Sequence, residues 1–173
     1  MLLNSSLALK TQLETGMPYI FFKDRANEVN HNSHMGIIGN GNLCMESFSN
    51  FKPTINFVEE EDGNTSIRRS EMGEIHTCNL ISINLAELTS EELEKHVALA
   101  VRALDNTIDL TVTPLKESNK HNLLYRTIGV GAMGLADYLA REYMIYEESI
   151  NEINEIFERI ALYSIKASAL LAK

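Results

Sequence analysis

Hydrophobic residues recur at helical spacing through the second half of the chain. One apolar stripe predicts a long helix that ends before Pro114, with one face formed by Leu93, Val97, Ala100, Val101, Leu104 and Ile108. Thr89 and Glu92 form a capping-box pattern just ahead of it. A second stripe predicts a helix over 149–172, with one face formed by Ile153, Ile156, Phe157, Ile160, Tyr163 and Ala167. With a shorter helix predicted over 134–141, the C-terminal half is mainly helical.

The first half alternates short apolar runs with polar stretches. A first helix is expected to end at Gly16, and PYIFF, residues 18–22, predicts a buried strand. Residues 23–40 are polar and loop-like, and the acidic run in 58–74 predicts an insertion in solvent. HTCNLISINL, residues 76–85, predicts a second strand or a buried extended segment. The mixture favours an α/β class, with too few strands to close a barrel unaided.

Composition narrows the classes of function. The 173 residues are enough for one domain or a piece of a larger protein, and the net charge of −9 argues against nonspecific nucleic-acid binding. No apolar run approaches the roughly 20 residues that cross a bilayer, and the N-terminus lacks the pattern of a signal peptide. Two cysteines without the spacing of a disulfide framework favour a reducing compartment, so we expect a cytoplasmic protein with no membrane partner.

Two motifs match patterns of ligand-binding sites, but the surrounding sequence does not support those functions. His31 and His34, even with Cys44, fall short of the four ligands of a structural zinc site, so we expect no metal. GVGAMG, residues 129–134, matches the dinucleotide fingerprint G-x-G-x-x-G. Because the preceding segment is short for a first strand and no second β unit follows, close helix packing explains these small residues equally well.

Cys44 lies in the stretch GNGNLCMESFSN. In an extended segment alternate side chains point the same way, so Asn42, Cys44 and Glu46 would share one face and could converge on a small ligand. Gly39 and Gly41 would permit the close approach that such a tip requires. Spacing alone nevertheless favours a buried structural cysteine flanked by exposed polar side chains.

The pentapeptide NLCME, residues 42–46, resembles the N-x-C-x-E radical site of ribonucleotide reductase large subunits. Three more blocks resemble the same family in the same order: CNLISINL from Cys78, VRALDNTIDL from Val101 and RTIGVGAMGLADYLAR from Arg126. Together they cover most of the chain from about residue 16 onward. Several separate blocks in a conserved order make this resemblance far more specific than the pentapeptide alone.

The resemblance implies a fold that the helix and strand pattern cannot specify. Residues 1–173 would form one fragment, a slice of the family's ten-stranded α/β barrel, with a finger loop at about 36–50 carrying the radical cysteine. The acidic insertion at 58–74 would lie outside the barrel. Leu43 and Met45 fit the oxygen-dependent, two-subunit class I pattern, whereas Ser47 stands where the family usually has an aliphatic residue.

The resemblance also implies a role for each site residue. Cys44 would become a thiyl radical that abstracts the 3′ hydrogen of a ribonucleotide, a step that requires a thiol because S–H and activated C–H bonds are similar in strength. Asn42 would orient the substrate, and Glu46 would be the general base on the 3′ hydroxyl. Cys78 would match one of the two cysteines that reduce the 2′ position, with its disulfide partner outside this chain.

The implied function is reduction of ribonucleoside diphosphates to deoxyribonucleotides for DNA synthesis. The implied partners are the rest of the large subunit, a second copy of the complete subunit, a metal-containing small subunit that supplies the radical, and thioredoxin or glutaredoxin as electron donor. No cofactor would be bound directly. Two alternatives remain: a noncatalytic remnant that docks on reductase subunits, and a dinucleotide-binding protein that uses Gly129, Gly131 and Gly134.

Overall fold

A computed structural model describes residues 5–61 and 66–173. The chain divides into two compact units, Met1–His76 (unit 1) and Thr77–Lys173 (unit 2), each of which is described by itself. Among the described residues, no helix is long and apolar enough to cross a membrane.

The described part of unit 1 contains two short helices followed by two antiparallel hairpins. Its elements are α1 (Ser5–Thr15), α2 (Lys23–Glu28), β1 (Ile38–Gly41), β2 (Phe48–Asn50), β3 (Ile55–Glu61) and β4 (Ser66–Glu71). β1 pairs with β2 and β3 pairs with β4. Gly16 ends α1 in the left-handed conformation, at φ +74°, as the sequence predicts.

Side-chain amides, rather than apolar side chains, hold the first hairpin of unit 1. In the described part of this unit, Ile38 is the one buried hydrophobic residue. The amide of Asn27 hydrogen-bonds the Ile38 backbone twice, at 2.9 Å each. Asn50, which is 2% exposed, accepts from Asn30 Nδ2 and donates to the Asn32 carbonyl, both at 2.9 Å. These directional bonds fix the strands that carry the Cys44 loop.

Two predictions for the start of the chain are wrong. Residues 18–22 form no strand, and Tyr19, Ile20 and Phe22 are at least half exposed. The run does pack at one point, where the Phe21 ring stacks on Phe48 with centroids 5.0 Å apart. An apolar run becomes a strand only when another strand pairs with its backbone, and none of the described strands does so here. Residues 23–40, predicted as loop, contain α2 and the start of β1.

The acidic insertion predicted at 58–74 is part of the β3–β4 hairpin. The residues of β4 from Ile67 onward are exposed, as predicted, whereas Gly73 and Glu74 are buried. The backbone of Glu74 pairs with that of Lys52 through two hydrogen bonds, of 2.7 and 3.3 Å. The middle of the insertion, 62–65, lies outside the described residues.

Unit 2 combines a parallel strand pair with four helices. Its elements are β5 (Leu80–Asn84), a 3₁₀ turn (Leu85–Glu87), α3 (Leu93–Leu110), α4 (Lys116–Tyr125), β6 (Gly129–Met133), α5 (Leu135–Arg141), a 3₁₀ turn (Tyr146–Glu148) and α6 (Ile150–Leu171). β5 and β6 are parallel, so the chain must cross over between them, and α3 and α4 form that crossover. This arrangement confirms the α/β class and the mainly helical C-terminal half.

The core of unit 2 lies where α3 packs on α6 and β5. The predicted stripe of α3 is confirmed in full, because all six of its residues are buried. Three of them, Leu93, Val97 and Ala100, lie in one cluster with Ile156 and Ile160 of α6 and Ile83 of β5. The predicted face of α6 is only partly right, since Phe157 is 44% exposed.

The start of α3 departs from a full capping box. The Glu92 carboxylate accepts from both the backbone N–H and the hydroxyl of Thr89, at 3.1 and 2.8 Å. The helix itself begins at Leu93, and the side chain of its N-cap residue, Glu92, makes no capping hydrogen bond to the helix. These bonds hold the pKa of Glu92 below its usual value.

GVGAMG lies mostly in a strand, which contradicts its interpretation as a helix-packing segment. Gly129 and Gly131 belong to β6, and a Cβ on Gly129 would come within 2.5 Å of Leu80 Cδ2 on the neighbouring strand. Gly134, at φ +72°, turns the chain into α5. A dinucleotide fingerprint needs its glycines in the turn after a strand, so this geometry does not match it. Gly129 allows a close contact between β5 and β6 instead.

Candidate active site

The loop between β1 and β2 is a tight turn organised by Asn42. Its Oδ1 accepts hydrogen bonds from the backbone N–H groups of Glu46 and Ser47, at 3.1 and 3.0 Å. Its backbone N–H donates to the Ser47 carbonyl at 3.1 Å, and its carbonyl accepts from the Met45 N–H at 3.2 Å. An asparagine suits this position because its short amide can cap the backbone of a turn.

The turn corrects the prediction of an extended segment with three side chains on one face. Met45 has φ +61°, a left-handed conformation that reverses the chain. Asn42 and Glu46 meet all the same, because the turn folds back on itself: Asn42 Nδ2 donates to Glu46 Oε1 at 2.5 Å. Cys44 lies between them in sequence, at the apex of the loop. The amide and the carboxylate are therefore brought together by turn geometry and not by strand alternation.

The two glycines before the turn differ in importance. A Cβ on Gly41 would lie 2.7 Å from Phe48 Cε1 and 3.2 Å from Met45 Sδ, so the close approach predicted here is real. At Gly39 the nearest contact would be an ordinary 3.6 Å, to Phe51 Cδ1. Only Gly41 is required by the packing of the hairpin.

Cys44 is exposed and has a free thiol, which contradicts the interpretation as a buried structural cysteine. Leu43 beside it is 85% exposed, so the apex of the turn presents the thiol to the surroundings. A carboxylate has several lone pairs, and the bond from Asn42 leaves Glu46 able to accept another from a ligand hydroxyl. The loop thus combines an accessible thiol with a nearby, oriented hydrogen-bond acceptor.

Ser47, at the base of this turn, makes a contact that was not predicted from the sequence. Ser47, which is 9% exposed, lies 2.8 Å from His76 Nε2 through its Oγ. Burial lowers the pKa of His76 below its ordinary value of 6.5. The two residues are 29 positions apart, so no spacing signal could have found the pair. The unusual serine at position 47 was the one available hint.

Cys78 lies in unit 2, two residues before β5, and its free thiol is exposed. Its neighbours Thr77 and Asn79 both donate to Oδ1 of Asn122 in α4, at 3.0 and 3.3 Å. Asn122 is 3% exposed, so these bonds are made in the interior. No element was predicted from the sequence over Lys116–Tyr125, so this contact was not predicted either.

The remaining candidate metal ligands are two histidines. His31 and His34 are both exposed. Over residues 5–61 and 66–173, no group of three or more His, Cys, Asp or Glu side chains is arranged to hold a metal ion.

Residues 5–173 match the family described as "Ribonucleotide reductase, barrel domain". Because the match covers nearly the whole chain, the chain belongs to this family. It is 45% identical over 165 residues to the ribonucleoside-diphosphate reductase subunit alpha of Synechocystis. The aligned region covers 95% of this chain and 19% of the relative. It is 39% identical to the protein of that name from Treponema pallidum, over 96% of this chain and 21% of the relative.

The relatives are several times longer than this chain. A third one, the alpha subunit of Helicobacter pylori, is 35% identical and is matched over 26% of its length. The chain spans about a fifth to a quarter of the curated relatives it matches. The family and the α/β class are therefore established for these residues, while the activity of a complete reductase is a proposal.

Proposed function

We propose that this chain is the part of a ribonucleoside-diphosphate reductase catalytic subunit that carries the radical cysteine. The proposal rests above all on the Asn42–Ser47 turn, where an exposed Cys44 lies between an amide and a carboxylate joined by a 2.5 Å hydrogen bond. Family membership supports it. In this proposal residues 36–50 act as the finger loop and residues 1–173 form one fragment of the barrel domain.

The proposed chemistry assigns one step to each residue of the turn. As a thiyl radical, Cys44 takes the 3′ hydrogen of a ribonucleoside diphosphate, which leaves a thiol on the protein and a radical on the sugar. Glu46 accepts the proton of the 3′ hydroxyl, and Asn42 orients both the carboxylate and the substrate. At the end of the cycle Cys44 returns the hydrogen to the same carbon and the thiyl radical forms again.

Reduction itself is assigned to Cys78 and a second thiol. The 2′ hydroxyl leaves as water, and two thiols supply the two electrons and two protons while they become one disulfide. The chain has two cysteines, and Cys44 is committed to the radical step. The partner thiol of Cys78 must therefore come from another segment of the complete subunit.

The wider requirements follow from the same proposal. The rest of the large subunit would complete the barrel, and two complete subunits would form a homodimer. A metal-containing small subunit would supply the radical, and thioredoxin or glutaredoxin would reduce the disulfide. The setting would be the cytoplasm, where thiols stay reduced.

The proposal is tested on the tagged chain purified from its own cells. Native mass spectrometry identifies the polypeptides that travel with it at fixed stoichiometry, and the complex is then assayed for conversion of ribonucleoside diphosphate to the deoxy form. We expect companions that supply the missing parts of the subunit. We also expect Cys44→Ser to abolish reduction, because a hydroxyl cannot form the required radical.

Cys78→Ser is the matched control, since it makes the same substitution at the other cysteine. We expect it to permit at most a single abortive turnover per site, because the radical step is intact and the electron pair cannot be delivered. Substantial activity in Cys44→Ser would reject the radical assignment. Sustained turnover in Cys78→Ser would reject the redox assignment. A chain that purifies alone and supports no reduction would favour the noncatalytic remnant.

A further inference from the structure

We infer that Asn122 is a positioning residue for Cys78, holding the side chains of the two residues that flank the thiol through one buried amide oxygen. The inference concerns the geometry of residues 77–79, and its importance for catalysis rests on the proposed redox function of Cys78. The two claims are separable by experiment.

The contacts converge on a single atom. Asn122 Oδ1 accepts from Thr77 Oγ1 at 3.0 Å and from Asn79 Nδ2 at 3.3 Å. An amide oxygen has two lone pairs, so both acceptor positions are used by the residues that flank Cys78. Because Asn122 is 3% exposed, water cannot readily replace either bond.

The far side of Asn79 is anchored as well. Its Nδ2 also lies 3.2 Å from the Thr127 carbonyl, and its own carbonyl accepts from the Gly129 N–H at 2.9 Å. Asn79 therefore joins α4 to the start of β6. The segment before β5 is held on one side by a helix and on the other by the neighbouring strand, and Cys78 is the exposed residue within it.

Such an arrangement suits a thiol that must attack, or be attacked, along the axis of a disulfide. Exchange proceeds through an in-line arrangement of three sulfur atoms, so the direction of the Cys78 side chain affects the rate. Fixing both flanking residues limits the directions that the thiol can take. The same contacts leave the thiol itself exposed to a reactant.

The test uses the chain with Cys44→Ser, so that Cys78 is its remaining thiol. Amide hydrogen exchange is measured at Gly129, whose N–H donates to the Asn79 carbonyl, together with the rate at which Cys78 reacts with 4,4′-dithiodipyridine. In that reaction the Cys78 sulfur forms a mixed disulfide, the reagent's S–S bond breaks, and one thiopyridone leaves with the thiol proton.

Asn122→Ala removes both side-chain bonds and loosens Asn79, so we expect exchange at Gly129 to rise about tenfold, the effect of about 1.4 kcal/mol of lost hydrogen bonding. The freed segment should also react severalfold faster with the reagent. Asn119→Ala is the matched control, because Asn119 is an exposed asparagine on the same helix, and it should change neither rate. Exchange in α3 should stay constant in both variants.

If Asn122→Ala does not fold, Thr77→Val and Thr77→Ser test the same inference. Valine removes the hydroxyl and should raise both rates, whereas serine keeps the hydroxyl and should restore them. Unchanged rates in Thr77→Val and Asn122→Ala, or a uniform rise across the whole of unit 2, would overturn the inference. A failed redox assignment would appear only as sustained turnover in Cys78→Ser and would leave these rates as expected.

Discussion

In unit 2 the buried side chains are mostly aliphatic and lie between α3, α6 and β5, whereas in the described part of unit 1 they are mostly polar, namely Ser47, Ser49, Asn50 and Glu74. Apolar contacts are non-directional and add up with the area they remove from water. Hydrogen bonds are directional, and each contributes little net stability. We therefore expect apolar burial to provide most of the stability of unit 2, and hydrogen bonds to fix the geometry of the Cys44 turn in unit 1.

The largest effect should come from the core of unit 2. Ile160 is 4% exposed and belongs to the central cluster, so Ile160→Ala should lower the free energy of unfolding of unit 2 by about 3 kcal/mol through lost burial and a residual cavity. Urea unfolding followed by hydrogen exchange in α3 measures this. Leu162→Ala, on the same helix at a residue that is 58% exposed, should change it by less than about 0.5 kcal/mol.

An intermediate effect should come from the amide network of unit 1. Asn50→Ala removes the bonds to Asn30 and to the Asn32 carbonyl and leaves their partners unsatisfied, which should cost about 2 kcal/mol. Hydrogen exchange in β1 and β2 measures the loss. Asn40→Ala, at an exposed residue of the same hairpin, should cost less than about 0.5 kcal/mol. Equal losses of stability in the two variants would show that the buried amide of Asn50 stabilises the hairpin no more than an exposed asparagine does.

The smallest effect should be a pH dependence confined to unit 1. Burial lowers the pKa of His76 below 6.5, so the unfolded chain binds a proton more readily than the folded one. Stability should therefore be fully present above about pH 6.5 and fall as the pH drops towards the lowered pKa. Exchange in β2 measured at a series of pH values tests this.

The matched variants for that test are both histidine to glutamine. His76→Gln should flatten the pH profile, because its amide keeps a polar partner for Ser47 and has no proton to gain in this range. His31→Gln, at an exposed histidine of the same unit, should leave the profile unchanged. A profile that survives in His76→Gln would assign the pH dependence to another group.

The same contrast explains what the sequence could predict. The stripe of α3 was predicted residue by residue because helical periodicity reports directly which side meets an apolar core. α4 was missed because its buried residues are polar, namely Ser118, His121 and Asn122, and burial of polar groups depends on partners distant in sequence. β6 was missed because glycine is a poor strand former, yet a Cβ at position 129 would come within 2.5 Å of Leu80 Cδ2 on the neighbouring strand.

The candidate site divides in a similar way. Asn42, Cys44 and Glu46 were identified by resemblance, and their roles stay a proposal. The expected geometry was wrong, because strand alternation was assumed where Asn42 caps a turn and Met45 is left-handed. The contacts that Ser47 and Asn122 make, with His76 and with the neighbours of Cys78, are set by tertiary structure, and no local pattern encodes them.

The close backbone contact at Gly73 affects how the chain tolerates changes in length. A Cβ at this residue would collide with the backbone of Lys52 and Pro53, and the next residue, Glu74, pairs with Lys52. The chain thus leaves for the β3–β4 hairpin and returns from it at a single closed point. We therefore expect the hairpin to tolerate changes in its length without a shift in where the following residues re-enter the fold.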